Sequence, residues 1–207
     1  DPVARRVTDD HRSMFAGWHG RDLLVSRVVD GTPRTFAVGA QSGTTKGEHG
    51  DAAWLPIVAP GGGHAAWWDG TVRLAADGVT WVPGEGRLVI GDWPDPVGPE
   101  QVLASDPVRS WEVGWDPDGT AVAVWTGREG RAGRLSVYPV DPDTGRARLG
   151  AAIVDDEPAF GGFSIEPGRL VYGEPIGDGK AQAWLVAWDG DVPLGRAKLD
   201  GEITVVR

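Results

Sequence analysis

Residues Val113-Gly114-Trp115-Asp116-Pro117-Asp118-Gly119-Thr120-Ala121-Val122-Ala123-Val124-Trp125 read as strand, tight turn, strand. Pro117 presets φ for the first central turn position. Asp118 tolerates the turn, and Gly119 supplies the positive φ that other residues avoid. The following run Ala121 to Trp125 is apolar and β-branched, which suits a buried strand. Looser copies of the phrase surround Trp18-His19-Gly20-Arg21, Ala59-Pro60-Gly61-Gly62-Gly63, Val82-Pro83-Gly84-Glu85 and Glu166-Pro167-Gly168-Arg169. Short apolar runs bounded by Gly, Pro and Asp recur along the chain. No window longer than about ten residues keeps a helical apolar period without Gly or Pro inside it. The reading is all-β.

Composition narrows the classes. The 207 residues include 32 Gly, 16 Pro, 11 Trp and no Cys. Zero Cys excludes a disulfide scaffold, thiolate zinc and thiol catalysis. The net charge of −10 argues against a nucleic-acid groove or an anionic membrane surface. No stretch approaches the roughly 20 apolar residues that span a bilayer. Asn is absent, so Gly and Asp must serve the tight turns.

After the central hairpin comes a third strand at Leu135 to Val140. The turn Asp141-Pro142-Asp143-Thr144-Gly145 follows, with a fourth strand expected at Arg148 to Val154. Four antiparallel strands in about 40–50 residues make one propeller blade. One blade cannot cover both its faces, so neighbours must stack. We expect a single propeller domain over 1–207, with blades near 11–50, 51–95, 108–156 and 158–207. The copy near residues 79–90 leaves room for a compressed fifth blade, and the residues could also be part of a larger ring.

The Trp-Asp-Pro-Asp-Gly-Thr hairpin and the Val-Asp-Pro-Asp-Thr-Gly turn resemble the blades of bacterial TolB-like and WD40-like β-propellers. Residues 111–146 match best; Asp116 stands where the family pattern has Ser. The resemblance implies a four- or five-bladed propeller. It also implies a non-catalytic binding or sensor domain, extracytoplasmic at the cell surface or envelope, such as the outer part of a membrane-anchored, anti-sigma-factor-like protein. The start at Asp1 rather than Met fits that expectation and equally fits a trimmed disordered start. The alternative is a carbohydrate-active five-bladed propeller, either a glycosidase or a sugar-binding module.

Candidate residues follow from loop placement. Trp18, Trp81, Trp115 and Trp125 should fill gaps between stacked sheets. Trp54, Trp93 and Trp111 lie in or beside longer connections, where a ring could be half exposed and stack on a ligand. With Arg109, Arg128, Asp156 and Glu157 they form the expected binding face, because Arg and Trp are enriched in interaction hot spots. That face is expected to gather segments 27–34, 40–53, 92–110, 127–133, 141–158 and 174–180. Trp115, Asp116, Pro117, Asp118 and Gly119 are assigned to turn structure. The acidic pairs stop short of a calcium loop, and the four His show no metal-ligand spacing. No metal, cofactor or catalytic residue is expected. The expected partner is a protein, a small molecule or a sugar, with no nucleic acid and no membrane insertion. A glycosidase would need two carboxylates about 5–10 Å apart, drawn from Asp51, Asp92, Asp95, Glu112, Asp155, Asp156 and Glu157.

Overall fold

A computed structural model describes residues 13–95, 98–105, 108–127 and 132–204. Their sixteen strands form four sheets of four, each built from consecutive antiparallel strands. The first sheet holds β1 (Met14–His19), β2 (Asp22–Val29), β3 (Thr32–Gly39) and β4 (Thr45–Asp51). The second holds β5 (Ala53–Val58), β6 (His64–Leu74), β7 (Trp81–Asp92) and β8 (Gln101–Ser105). The third holds β9 (Ser110–Trp115), β10 (Ala121–Gly127), β11 (Gly133–Pro139) and β12 (Val154–Ala159). The fourth holds β13 (Ser164–Glu166), β14 (Arg169–Gly177), β15 (Lys180–Asp189) and β16 (Val192–Thr204). The fold class is that of a propeller with four four-stranded blades, as the repeated hairpin predicts.

Two compact units divide the chain, residues 1–106 and 107–207, each holding two sheets. In the first unit Leu24 and Ala37 of sheet one meet Ala65, Trp67, Val89 and Trp93 of sheet two. In the second unit Ala121, Ala123 and Val137 of sheet three share a core with Leu170, Tyr172, Val186 and Trp188 of sheet four. Both seams set small or medium side chains on one sheet against aromatic rings on the next. Close packing of that kind fills the space without voids. Burying each large ring contributes about 1.5–3 kcal/mol.

The hairpin that reveals the repeat is held by Asp116, which is fully buried. Its Oδ1 accepts the Ala121 N–H at 2.8 Å and its Oδ2 accepts the Thr120 hydroxyl at 2.8 Å. The Gly119 N–H donates to the Asp116 carbonyl at 3.0 Å, with Gly119 at φ 71°. A Ser at this position could not accept both bonds through one oxygen as well as a carboxylate does with two.

Three sequence expectations change. The Pro83-Gly84-Glu85-Gly86 tract is not a turn, and there is no fifth sheet among the described residues. It lies within β7, where Gly86 faces Gly70 across the ladder and Pro83 faces Val72. A Cβ on Gly70 would stand 2.6 Å from the Gly86 Cα, so only paired glycines permit this crossing. The true turn is at Asp77-Gly78, whose Asp77 carboxylate accepts the Thr80 hydroxyl and two backbone N–H groups. Those bonds, the Thr80 hydroxyl first, hold its pKa down at about 2.

The fourth strand of the third sheet is Val154–Ala159, not residues 148–154. A 3₁₀ turn at Leu149–Ala151 intervenes, and Ile153 N–H bonds the Val137 carbonyl at 2.8 Å before pairing begins. Asp155, Asp156 and Glu157 are therefore edge-strand residues rather than a solvated loop. Charges on an outer strand oppose edge-to-edge pairing. Finally, segment 40–53 is largely strand, and segment 141–158 runs through a turn and the 3₁₀ turn into β12. Their turns join third to fourth strands, so in an antiparallel meander they emerge at the same end as the first hairpin.

Asp116→Ala should lower stability by about 1–3 kcal/mol, because a buried N–H loses its acceptor. Asp118→Ala, at an exposed position, should stay within about 0.5 kcal/mol. Urea unfolding of both variants checks this, and equal effects would overturn the assignment of the turn to Asp116. Gly70→Ala should cost at least as much as Asp116→Ala, measured in the same way.

Candidate functional site

The residues expected to form a binding face fall into different settings. Trp54 is 1% exposed and Trp93 4%, so neither ring lines a surface. Trp54 lies on β5 opposite Trp68 and contacts Trp81 edge-on, with ring centroids 6.3 Å apart. Trp93 follows β7 and leans on Trp67 at 5.9 Å. The seam draws Trp93 inward beside Trp67, and Trp68 and Trp81 cover Trp54. Trp111 lies on β9 and is half buried, and Arg109 precedes it, exposed. Arg128 and Arg131 lie outside the described residues.

Asp156 and Glu157 share β12 but engage different partners. Asp156 takes φ 50° at a bulge in the β11–β12 ladder, a backbone shape that Asp tolerates. The Arg134 guanidinium donates to its carbonyl at 2.9 Å. Glu157 instead meets Arg196 of β16 at 3.2 Å.

Surface aromatics occur where sequence reasoning expected a core ring. Phe15 is 61% exposed and Trp18 54%. Phe15 pairs with Val25, and Trp18 with Leu23. The bulge between Phe15 and Gly17 takes up one residue, so both rings stand on the same face of the sheet. That face is opposite to the one carrying Leu24 into the seam. The rings meet edge to face at 6.2 Å and 73°. The bulge is what the hairpin pattern could not reveal.

Titratable groups cluster at one end of the first unit. His49 of β4 packs its ring on Trp93 at 5.8 Å, and the charges of Asp95, His19 and Asp22 reach it. His64 approaches Asp92 at 3.4 Å, and Lys46 clasps Asp22 at 2.6 Å. Sequence distance hid this gathering of His19 and His49; His11 lies outside the described residues. Among the described residues no group of three or more His, Asp or Glu is arranged to hold a metal ion. Burial lowers the His49 pKa from 6.5, against the opposing pull of Asp95.

Among the candidate carboxylates, Asp92, Glu112, Asp156 and Glu157 have structural partners, and the side chain of Asp51 lies outside the described residues. Glu112 accepts the Gly162 N–H at 2.7 Å. Glu100, which the sequence reading passed over, is pushed up by burial and by the Asp69 charge. Arg87 bridges Asp69 at 2.9 Å and Glu100 at 3.2 Å.

An imidazole whose folded pKa lies below its unfolded value stabilises the native state in its neutral form. That contribution is complete above about pH 6.5 and is lost as pH falls through the lowered folded value. Stability measured between pH 8 and 5 should therefore decline below about 6.5, and His49→Gln should flatten the decline. An unchanged slope in that variant would overturn the assignment.

No family model matches the chain, and no curated protein matches it. Solved structures do resemble it. A Bacteroides uniformis protein assigned as a 6-phosphogluconolactonase is 13% identical with a TM-score of 0.56, over 93% of this chain and 54% of that one. The β-propeller domain of the Trilobed protease from Pyrococcus furiosus, described as having an open velcro topology, is 12% identical with a TM-score of 0.52, over 93% and 59%. TolB from Acinetobacter baumannii is 15% identical with a TM-score of 0.46, over 86% and 40%. This chain thus spans about half the length of the structures it matches. At such identities the likeness speaks to fold alone, and the first two structures support what the four sheets already display: a β-propeller fold.

Proposed function

We propose that the chain is a recognition domain that performs no catalysis and binds a partner protein through the Phe15–Trp18 surface of its first sheet. The carrying observation is the exposure of two adjacent large rings, 61% and 54%, on an edge strand held by its ladder with β2. Aromatic rings fixed on a rigid frame lose little entropy on binding and dominate interface energetics. Their edge-to-face arrangement, at 73°, offers no continuous flat platform for a sugar ring. Two rings set at an angle suit an aliphatic or aromatic side chain, which favours a protein partner over a carbohydrate. The engagement of Glu112, Glu100 and Glu157 by a backbone N–H, Arg87 and Arg196 supports structural over acid–base roles for them.

An extracytoplasmic sensor role belongs to the same proposal and stands on the sequence resemblance alone. Fractionation of cells expressing the protein tests it.

Peptide-library selection and a glycan array, run side by side on the purified domain, test the surface. Selected peptides should lose at least tenfold in affinity on Trp18→Ala, with an unchanged urea midpoint. Binders indifferent to both Trp18→Ala and Phe15→Ala would overturn the proposal. Glycan binding that depends on Trp18 would instead support the carbohydrate alternative.

A further inference from the structure

Arg196 occupies a small enclosure in the second unit. Its guanidinium lies 3.8 Å over the Trp184 ring and 5.5 Å from the Tyr172 ring centre. It bonds Glu174 of β14 at 2.8 Å and Glu157 of β12 at 3.2 Å. Two aromatic faces and two carboxylates around one point are the surroundings that bind a cation. We propose that Trp184, Tyr172, Glu157 and Glu174 form a cation site closed by the chain's own Arg196, and that its exchangeable occupant is an arginine side chain from a basic segment of a partner protein.

Arg196 fits this enclosure incompletely. Guanidinium only donates hydrogen bonds. Tyr172 is 1% exposed, yet its hydroxyl has no hydrogen-bond partner among the described residues, and neither has the buried Trp184 indole N–H. The indole N–H needs an acceptor, which Arg196 cannot supply, and the Tyr172 hydroxyl, able to donate or accept, takes no bond from Arg196 either. Burial also pushes the Tyr172 hydroxyl up to about 12, so it stays protonated. A peptide arginine brings a carbonyl oxygen along with its guanidinium. The Arg196 backbone, by contrast, lies opposite Val186 in the β15–β16 ladder.

The position of Arg196 also allows exchange. β16 is the outer strand of its sheet, paired on one side only. Its ladder with β15 breaks register on both sides of Arg196, between Gln182 and Trp184 and between Ala187 and Trp188. The Arg196 side chain remains 31% exposed. Once Arg196 swings aside, two carboxylates face the opening, and the chain's net charge of −10 draws basic segments toward it. This site is separate from the Phe15–Trp18 surface, and each can fail without the other.

Arginine amide is the probe, followed through the Trp184 indole resonance of ¹⁵N-labelled protein, assigned with Trp184→Phe. The resonance should shift on titration of the unaltered protein. Arg196→Ala should bind arginine amide at least tenfold more tightly, and adding Glu157→Gln should reverse the gain. Glycine amide, which lacks the guanidinium, should leave the resonance in place. Should Arg196→Ala not fold, Arg196→Lys, with a single-point charge in place of the fork, should also bind more tightly than the unaltered protein. No shift at Trp184 in any of these proteins, or equal shifts with glycine amide, would overturn the proposal.

Discussion

A four-stranded sheet with apolar residues on both faces has no stable existence by itself, and covering those faces governs everything else in this chain. In the first unit the covering is Trp67 and Trp93 against Leu24 and Ala37. In the second it is Tyr172 and Trp188 against Ala121 and Ala123. The rings demand depth, and small residues opposite supply it. This requirement pulls Trp93 out of its connecting segment and holds His49 against it. It also leaves Arg196 to seal the outer margin of the second seam, where Glu157 and Glu174 neutralise its charge.

The hairpins were legible because their chemistry is local. Pro117, Asp118 and Gly119 specify a turn whatever surrounds them, and the apolar run after them specifies a strand. The same logic misread Pro83 to Gly86. Pro and Gly there serve a close crossing of two long strands, and only the partner glycine, Gly70, distinguishes that from a turn. The fourth strand of the third sheet was misplaced by a few residues because its start depends on the Ile153 bond to Val137, a contact that no local pattern announces.

The candidate sites were less legible, and for one physical reason. Whether a Trp is core or surface depends on strand register. A single bulged residue turned Trp18 outward, while ladder partners turned Trp54 inward. Glu157 was singled out from sequence, but as a loop carboxylate. Its ion pair with Arg196 spans 39 positions and comes from sheet stacking. The gathering of His19 and His49 is likewise a product of topology rather than of spacing.

Every sheet consists of consecutive strands, and among the described residues none borrows a strand from another. A stretch of gene and a structural layer therefore coincide. Duplicating or deleting one such stretch would add or remove a whole layer and leave no orphaned strand behind. Architecture of this sort lets a lineage vary the number of layers in single genetic events, while selection has only to re-match the two surfaces at the splice.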